Sequence, residues 1–175
     1  AQLVNLLYNI VDRIYIGHMA EVGATALTGV GLFMPILMLI NAFAMLAGAG
    51  GAPLAAIRMG RKEHDFAEKI LGNCFTVLMI FAVALTVIFY VTAPTLLQLF
   101  GASQVTLPYA LSYSRIYILG SVFVLVVMGM NPFITTQGFA KISMMTTLIG
   151  AVINIILDPI FIFALGLGVR GAALA

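Results

Sequence analysis

Two stretches of this chain, residues 22–57 and 70–114, contain no charged side chain. A soluble domain carries about 25% charged residues, whereas here the fraction is 8%, with 63% hydrophobic residues and a mean hydropathy of +1.16. Such a composition does not coat a water-facing surface, and runs of this length read as helices that cross a bilayer. The net charge is only +2, and half of the Lys and Arg are gathered in one short segment, so it does not describe a surface for nucleic acid. The single cysteine, Cys74, excludes an internal disulfide and reads as a small apolar residue on a spanning helix. No Cys/His cluster has metal-site spacing. The chain opens on Ala1-Gln2 without a basic leader and closes where another helix starts, so a piece of a longer protein is expected.

The charges divide the chain into spans at about 1–20, 24–57, 68–93, 107–136 and 142–165, with the start of a sixth from 171. A continuous helix over 22–57 would run about 50 Å against a hydrocarbon core of about 30 Å. One long or bent span is therefore expected, kinked at Pro35 and closely packed at Gly48-Ala-Gly-Gly51. The break between the third and fourth spans is expected between Pro94 and Pro108, where Pro, Gly101, Ser103 and Gln104 collect. Orientation follows from Lys and Arg in short loops. Arg58, Arg61, Lys62, Lys69 and Lys141 fall on one side, and Arg170 with Glu21 on the other. The 58–69 loop is thus expected to be cytoplasmic.

Within the spans, acids are the anomaly. Asp158 is the only charged residue between Ile142 and Val169, and Asp12 lies in the apolar stretch from Leu3 to Met19. A carboxylate at the centre of a spanning helix costs about 2.5–3.5 kcal/mol, and such residues mark ion or proton pathways. On the first span Gln2, Asn5, Tyr8, Asn9, Asp12 and Tyr15 recur at helical spacing on one face. Bonding to neighbouring helices would account for the amides and phenols, but Asp12 needs a polar surrounding of its own. Arg13 points about 100° away from Asp12 and reads as a structural cation reaching the interface or another helix.

On the fifth span Thr147, Gly150, Asn154 and Asp158 share a face. Pro159 lacks an N–H and frees the carbonyl of Ile155. A carboxylate, an amide and a released carbonyl within one turn suit a proton or a small hard cation. The alternative is a helix end capped near Gly166-Leu-Gly168, with Asn154 one turn deeper weighing against it. Should Asp12 and Asp158 approach each other, burial and like charge would keep both from being ionised together. Two further stripes, Met34, Met38, Asn41 and Met45 on the second span and Tyr109, Tyr113, Tyr117 and Ser121 on the fourth, suit adaptable apolar ligands or ordinary helix packing.

The run Tyr8-Asn-Ile-Val-Asp12-Arg-Ile-Tyr-Ile-Gly17, followed by Ala26-Leu-Thr-Gly-Val-Gly31 and Pro35, resembles the start of the multidrug and toxin extrusion (MATE) family. So does Asn154-Ile-Ile-Leu-Asp158-Pro-Ile-Phe-Ile-Phe163 with Gly166-Leu-Gly-Val-Arg-Gly-Ala-Ala173, and the likeness is greatest to the DinF-like and MepA-like bacterial branch. The resemblance implies an all-α, polytopic membrane protein. Residues 1–175 would be about five helices of the six-helix N-terminal lobe of a twelve-helix transporter in a bacterial cell membrane. It also implies antiport: export of organic cations or other amphipathic drugs against H⁺ or Na⁺, with no cofactor beyond the coupling ion. Carried over, the ion site is Asp12, Asn154 and Asp158, with Na⁺ as the one metal it would take. Asn5, Tyr8, Asn9, Met38, Tyr113 and Thr147 are candidate cavity-lining residues. The implied partners are small-molecule drugs, the lipid bilayer and the C-terminal lobe of the same protein, with no nucleic acid. A sixth-span contribution to the site would lie beyond Ala175, and the fragment alone should not transport.

Two rivals share parts of this pattern. A lipid-linked oligosaccharide flippase of the same superfamily would be expected to line its cavity with several Arg or Lys, whereas only Arg13 and Arg115 lie within spans. An intramembrane aspartyl protease also sets two acids on separate spans. Its Tyr-Asp and Gly-x-Gly-Asp motifs are not matched by Val11-Asp12, Leu157-Asp158 or Gly166-Leu-Gly168-Val169.

Overall fold

A computed structural model describes residues 2–19 and 23–175, with side chains from Ile10 onward. Asn5, Tyr8 and Asn9 on the first span, and Glu21, therefore lie outside the described side chains. The described residues form helices α1 (Gln2–Gly17), α2 (Gly23–Leu32), α3 (Met34–Gly60), α4 (His64–Leu99), α5 (Leu107–Thr136) and α6 (Ala140–Pro159). A π-helical turn, Ile160–Ala164, follows α6, and a short helix α7 covers Val169–Leu174. No strand occurs among the described residues.

Among the described residues, four segments are long and apolar enough to cross a membrane: Gly23–Gly60, His64–Leu99, Leu107–Thr136 and Ala140–Ala164. Helix α1 has 16 residues, about 24 Å at 1.5 Å per residue, and is shorter than the bilayer core. The exposed side chains include Val91, Leu99 and Phe123, each at least 72% exposed. Apolar residues so bare of protein contact are where lipid is expected.

Prolines explain the local breaks unevenly. The kink expected at Pro35 appears as an interruption at Phe33, whose N–H bonds back to the Val30 carbonyl at 3.1 Å. The reason is that the ring of Pro35 collides with the carbonyl four residues earlier, at Gly31. Pro53, Pro94 and Pro132 instead lie inside α3, α4 and α5. Helix α4 consequently continues past Pro94 to Leu99, and the break before α5 is narrower than the sequence implied. Reciprocal bonds between Ser103 and Thr106 (Thr106 N–H to Ser103 Oγ at 3.2 Å, Ser103 N–H to Thr106 Oγ1 at 2.9 Å) close the turn that leads into α5.

The chain folds into two compact units. One comprises residues up to Pro35, Phe89–Leu119 and Thr146–Ala175, and it contains both acids of interest. Its core holds Ile16, Ala26, Phe33, Ala93, Leu97, Ala110 and Ile118, all nearly or fully buried. Gly29 brings α2 onto α5: a Cβ there would sit 3.0 Å from the amide nitrogen of Ala110. Helix α1 packs against α2 and α7, and α7 against the π turn. The other unit comprises Ile36–Ile88 and Gly120–Met145. There Gly48 lies against Pro132 and the Gly129 carbonyl, and Gly51 against Cys74 and Phe133. Cys74, half-buried, joins the cluster of Ala52, Ala55, Ala67 and Phe133, as its reading as a small apolar residue anticipates.

Candidate ion-coupling site

Asp158 is fully buried on the last turn of α6. The Asn154 amide donates to its Oδ1 at 3.3 Å, one helical turn earlier on the same face. Its other oxygen, Oδ2, accepts no hydrogen bond among the described residues, nor does Oδ1 of Asn154. Asp12, half-buried on α1, lies within Coulombic range of Asp158, and its buried Oδ1 is likewise unpartnered. Three oxygens from two helices are therefore shut away from solvent with lone pairs unfilled. Buried polar atoms are nearly always satisfied, so such a group marks a functional exception or the place of an ion or water. All three are hard donors of the type that binds a proton or a small hard cation. Among the described residues no three His, Cys, Asp or Glu side chains cluster as a metal site. Any cation bound here would rely on the Asn154 amide beside the two acids.

The local fold that sets Asp158 in place starts from Pro159. Without an N–H at Pro159 the α-helical ladder ends, and the chain continues as a wider turn in which the Leu165 N–H reaches the Ile160 carbonyl at 2.8 Å. Gly166 (φ 64°) and Gly168 (φ 55°) then reverse the backbone in a region that favours glycine. The reversal returns α7 onto the π turn so tightly that a Cβ at Gly171 would lie 2.7 Å from the Phe161 carbonyl oxygen. Tyr15 of α1 meets Phe163 edge-on, with ring centroids 6.2 Å apart, which ties α1 to the π turn that follows the Asp158-bearing helix.

The remaining sequence candidates scatter. Thr147 is half-buried on α6, while Gly150 on the same face borders open space. Met38 is 69% exposed on α3. Tyr113 is buried, packed edge-on to Phe33 at 5.6 Å and stacked on Tyr117 at 5.9 Å, so it offers little surface to a ligand. Arg13 is exposed and reaches the Met34 sulfur at 3.6 Å, consistent with a cation that turns to another helix. It also lies within Coulombic range of the adjoining Asp12. Sequence reasoning passed over Asn131, whose buried amide oxygen on α5 has no protein partner. Asn41 on α3 shares that condition, though it was noted only within a methionine stripe. In both cases the signal was present: an amide in an otherwise apolar span.

The MatE family profile matches residues 1–160. The chain belongs to the MatE family. It is 30% identical over 172 residues to the multidrug export protein MepA of Staphylococcus haemolyticus, a match covering 98% of this chain and 38% of MepA. It is 25% identical to an FAD transporter of Shewanella oneidensis, covering 96% of this chain and 37% of that protein. The MatE fold is also seen directly. An outward-facing multidrug resistance MATE transporter superposes with a TM-score of 0.90 at 30% identity, over 99% of this chain and 38% of that one. The chain thus spans well under half the length of the relatives it matches. It is a multi-pass membrane protein of a transporter family.

Proposed function

We propose that this chain is part of the N-terminal lobe of a secondary active transporter that expels organic cations or other amphipathic drugs in exchange for H⁺ or Na⁺. Asp12, Asn154 and Asp158 form the coupling site. The observation that carries the reading is the buried Asp158 carboxylate, held by Asn154 and within Coulombic range of Asp12, with oxygens left over for an ion. Similarity to MepA supports drugs as the cargo. Ion binding from outside neutralises the acids and lets the α1 side of the lobe repack, displacing drug outward; ion release inside resets it. The 58–69 loop faces the cytoplasm, the membrane is a bacterial plasma membrane, and the lobe alone does not transport.

The test is drug efflux by the full-length transporter in inverted vesicles, under a proton or a sodium gradient, with flavin as a competing cargo. Asp12→Asn and Asp158→Asn are expected to reduce efflux at least a hundredfold at unchanged expression, and the gradient that drives the wild type names the ion. Normal pumping by both variants would place coupling elsewhere. Competition by FAD, with no drug transport, would replace drugs by flavin nucleotides as the cargo.

A further inference from the structure

A cavity of about 260 Å³ opens beside the N-terminal part of α5, lined by Leu111, Ser112, Arg115, Ile116 and Arg170. At roughly 30 Å³ per water it has room for about nine waters. Two of the chain's eight basic residues converge on it, and among the described residues no acid lines it. Neither arginine has an ion-pair partner among the described residues, where Arg58 with Glu63 is the pair found. Arg115 is braced from behind, its guanidinium 5.7 Å from the centroid of the Tyr90 ring. Ser112, Arg115 and Ile116 lie on one face of α5, and Leu119, 59% exposed, continues that face one turn further.

Two unpaired guanidiniums around one small cavity repel each other and call for an anion. Their planar forks match a phosphate in two-pronged fashion, which ammonium groups do not. The cavity lies in the first turns of a spanning helix, where lipid headgroups sit, and its wall passes into bare apolar surface. We propose that Arg115 and Arg170 bind the phosphodiester of an anionic phospholipid, with Ser112 donating a further hydrogen bond. One acyl chain lies along Leu119. This site is separate from ion coupling: it would fasten the start of α7 to α5 through lipid.

The experiment uses the full-length transporter in phosphatidylcholine nanodiscs. Arg61→Gln, Lys62→Gln and Lys69→Gln are introduced throughout to remove the basic loop as a competing lipid contact. Thermal melting is followed while phosphatidylglycerol, further phosphatidylcholine or inorganic phosphate is titrated in. Phosphatidylglycerol is expected to raise the melting temperature saturably, with its half-saturating fraction increased at least tenfold by Arg115→Gln or Arg170→Gln. If a glutamine variant does not purify, Arg115→Lys and Ser112→Ala decide, each expected to weaken the response about threefold. An unchanged response in the variants overturns the site. So does an equal response to phosphatidylcholine, and inorganic phosphate acting as well as the lipid overturns the lipid assignment.

Discussion

Asp158 owes its position to two neighbours in sequence, Asn154 one turn before it and Pro159 directly after. The Asn154 bond, at 3.3 Å, is long for an N–H to oxygen contact, so it orients the carboxylate more than it neutralises it. Hydrogen bonds to charged groups contribute about 1.5–3 kcal/mol. If the coupling ion is sodium, Asn154→Ala, which also removes the free Asn154 Oδ1 as a ligand, is expected to raise its half-saturating concentration roughly tenfold, since about 1.4 kcal/mol is a factor of ten. A coupling proton, relieved of the competing amide donor, should bind no more weakly. The maximal rate should change little; ion-concentration curves of drug efflux separate the two. The acids themselves were legible in the sequence, because a charge in an apolar span has a cost that demands a reason. Their mutual approach was not legible, since no local period links α1 to α6. Met38 and Tyr113 show the same limit: a stripe names a face but not what the face meets, and Tyr113 meets Phe33 and Tyr117.

Helix boundaries followed charge and glycine well and proline poorly. Pro53, Pro94 and Pro132 pass through helices that a soluble protein would more often end, because neighbouring helices in a membrane bundle re-satisfy the freed backbone groups. The π turn after Pro159 was foreshadowed only as a released carbonyl. Close packing was read correctly at Gly48-Ala-Gly-Gly51, and the structure gives it partners. A Cβ at Gly48 would sit 2.9 Å from Pro132 and 3.0 Å from the Gly129 carbonyl oxygen, so Gly48→Ala must push α3 from α5. Overpacking of this kind costs about 1–3 kcal/mol, to be seen as a lowered melting temperature of the full-length protein. Gly150→Ala, facing open space, is the matched control and should melt no lower than wild type. Equal melting of the two variants would show that the Gly48 contact is slack.

At the scale of the molecule, the sidedness of the lobe can be checked directly. In a Cys74→Ala background, Lys62→Cys should react with a membrane-impermeant maleimide only in inverted vesicles, and Gln104→Cys only in intact cells. The reverse pattern would invert the orientation drawn from the basic loop. Sidedness matters because the candidate site carries charge inside largely apolar spans. Once the site opens to water and both acids ionise, Asp12 and Asp158 beside Arg13 would sum to a single negative charge, and one proton or one sodium ion would cancel it. Moving an elementary charge through 100 mV involves about 2.3 kcal/mol. The filled site would then cross the conformational change with no net charge of its own, and the empty site would be the one on which the membrane potential pulls.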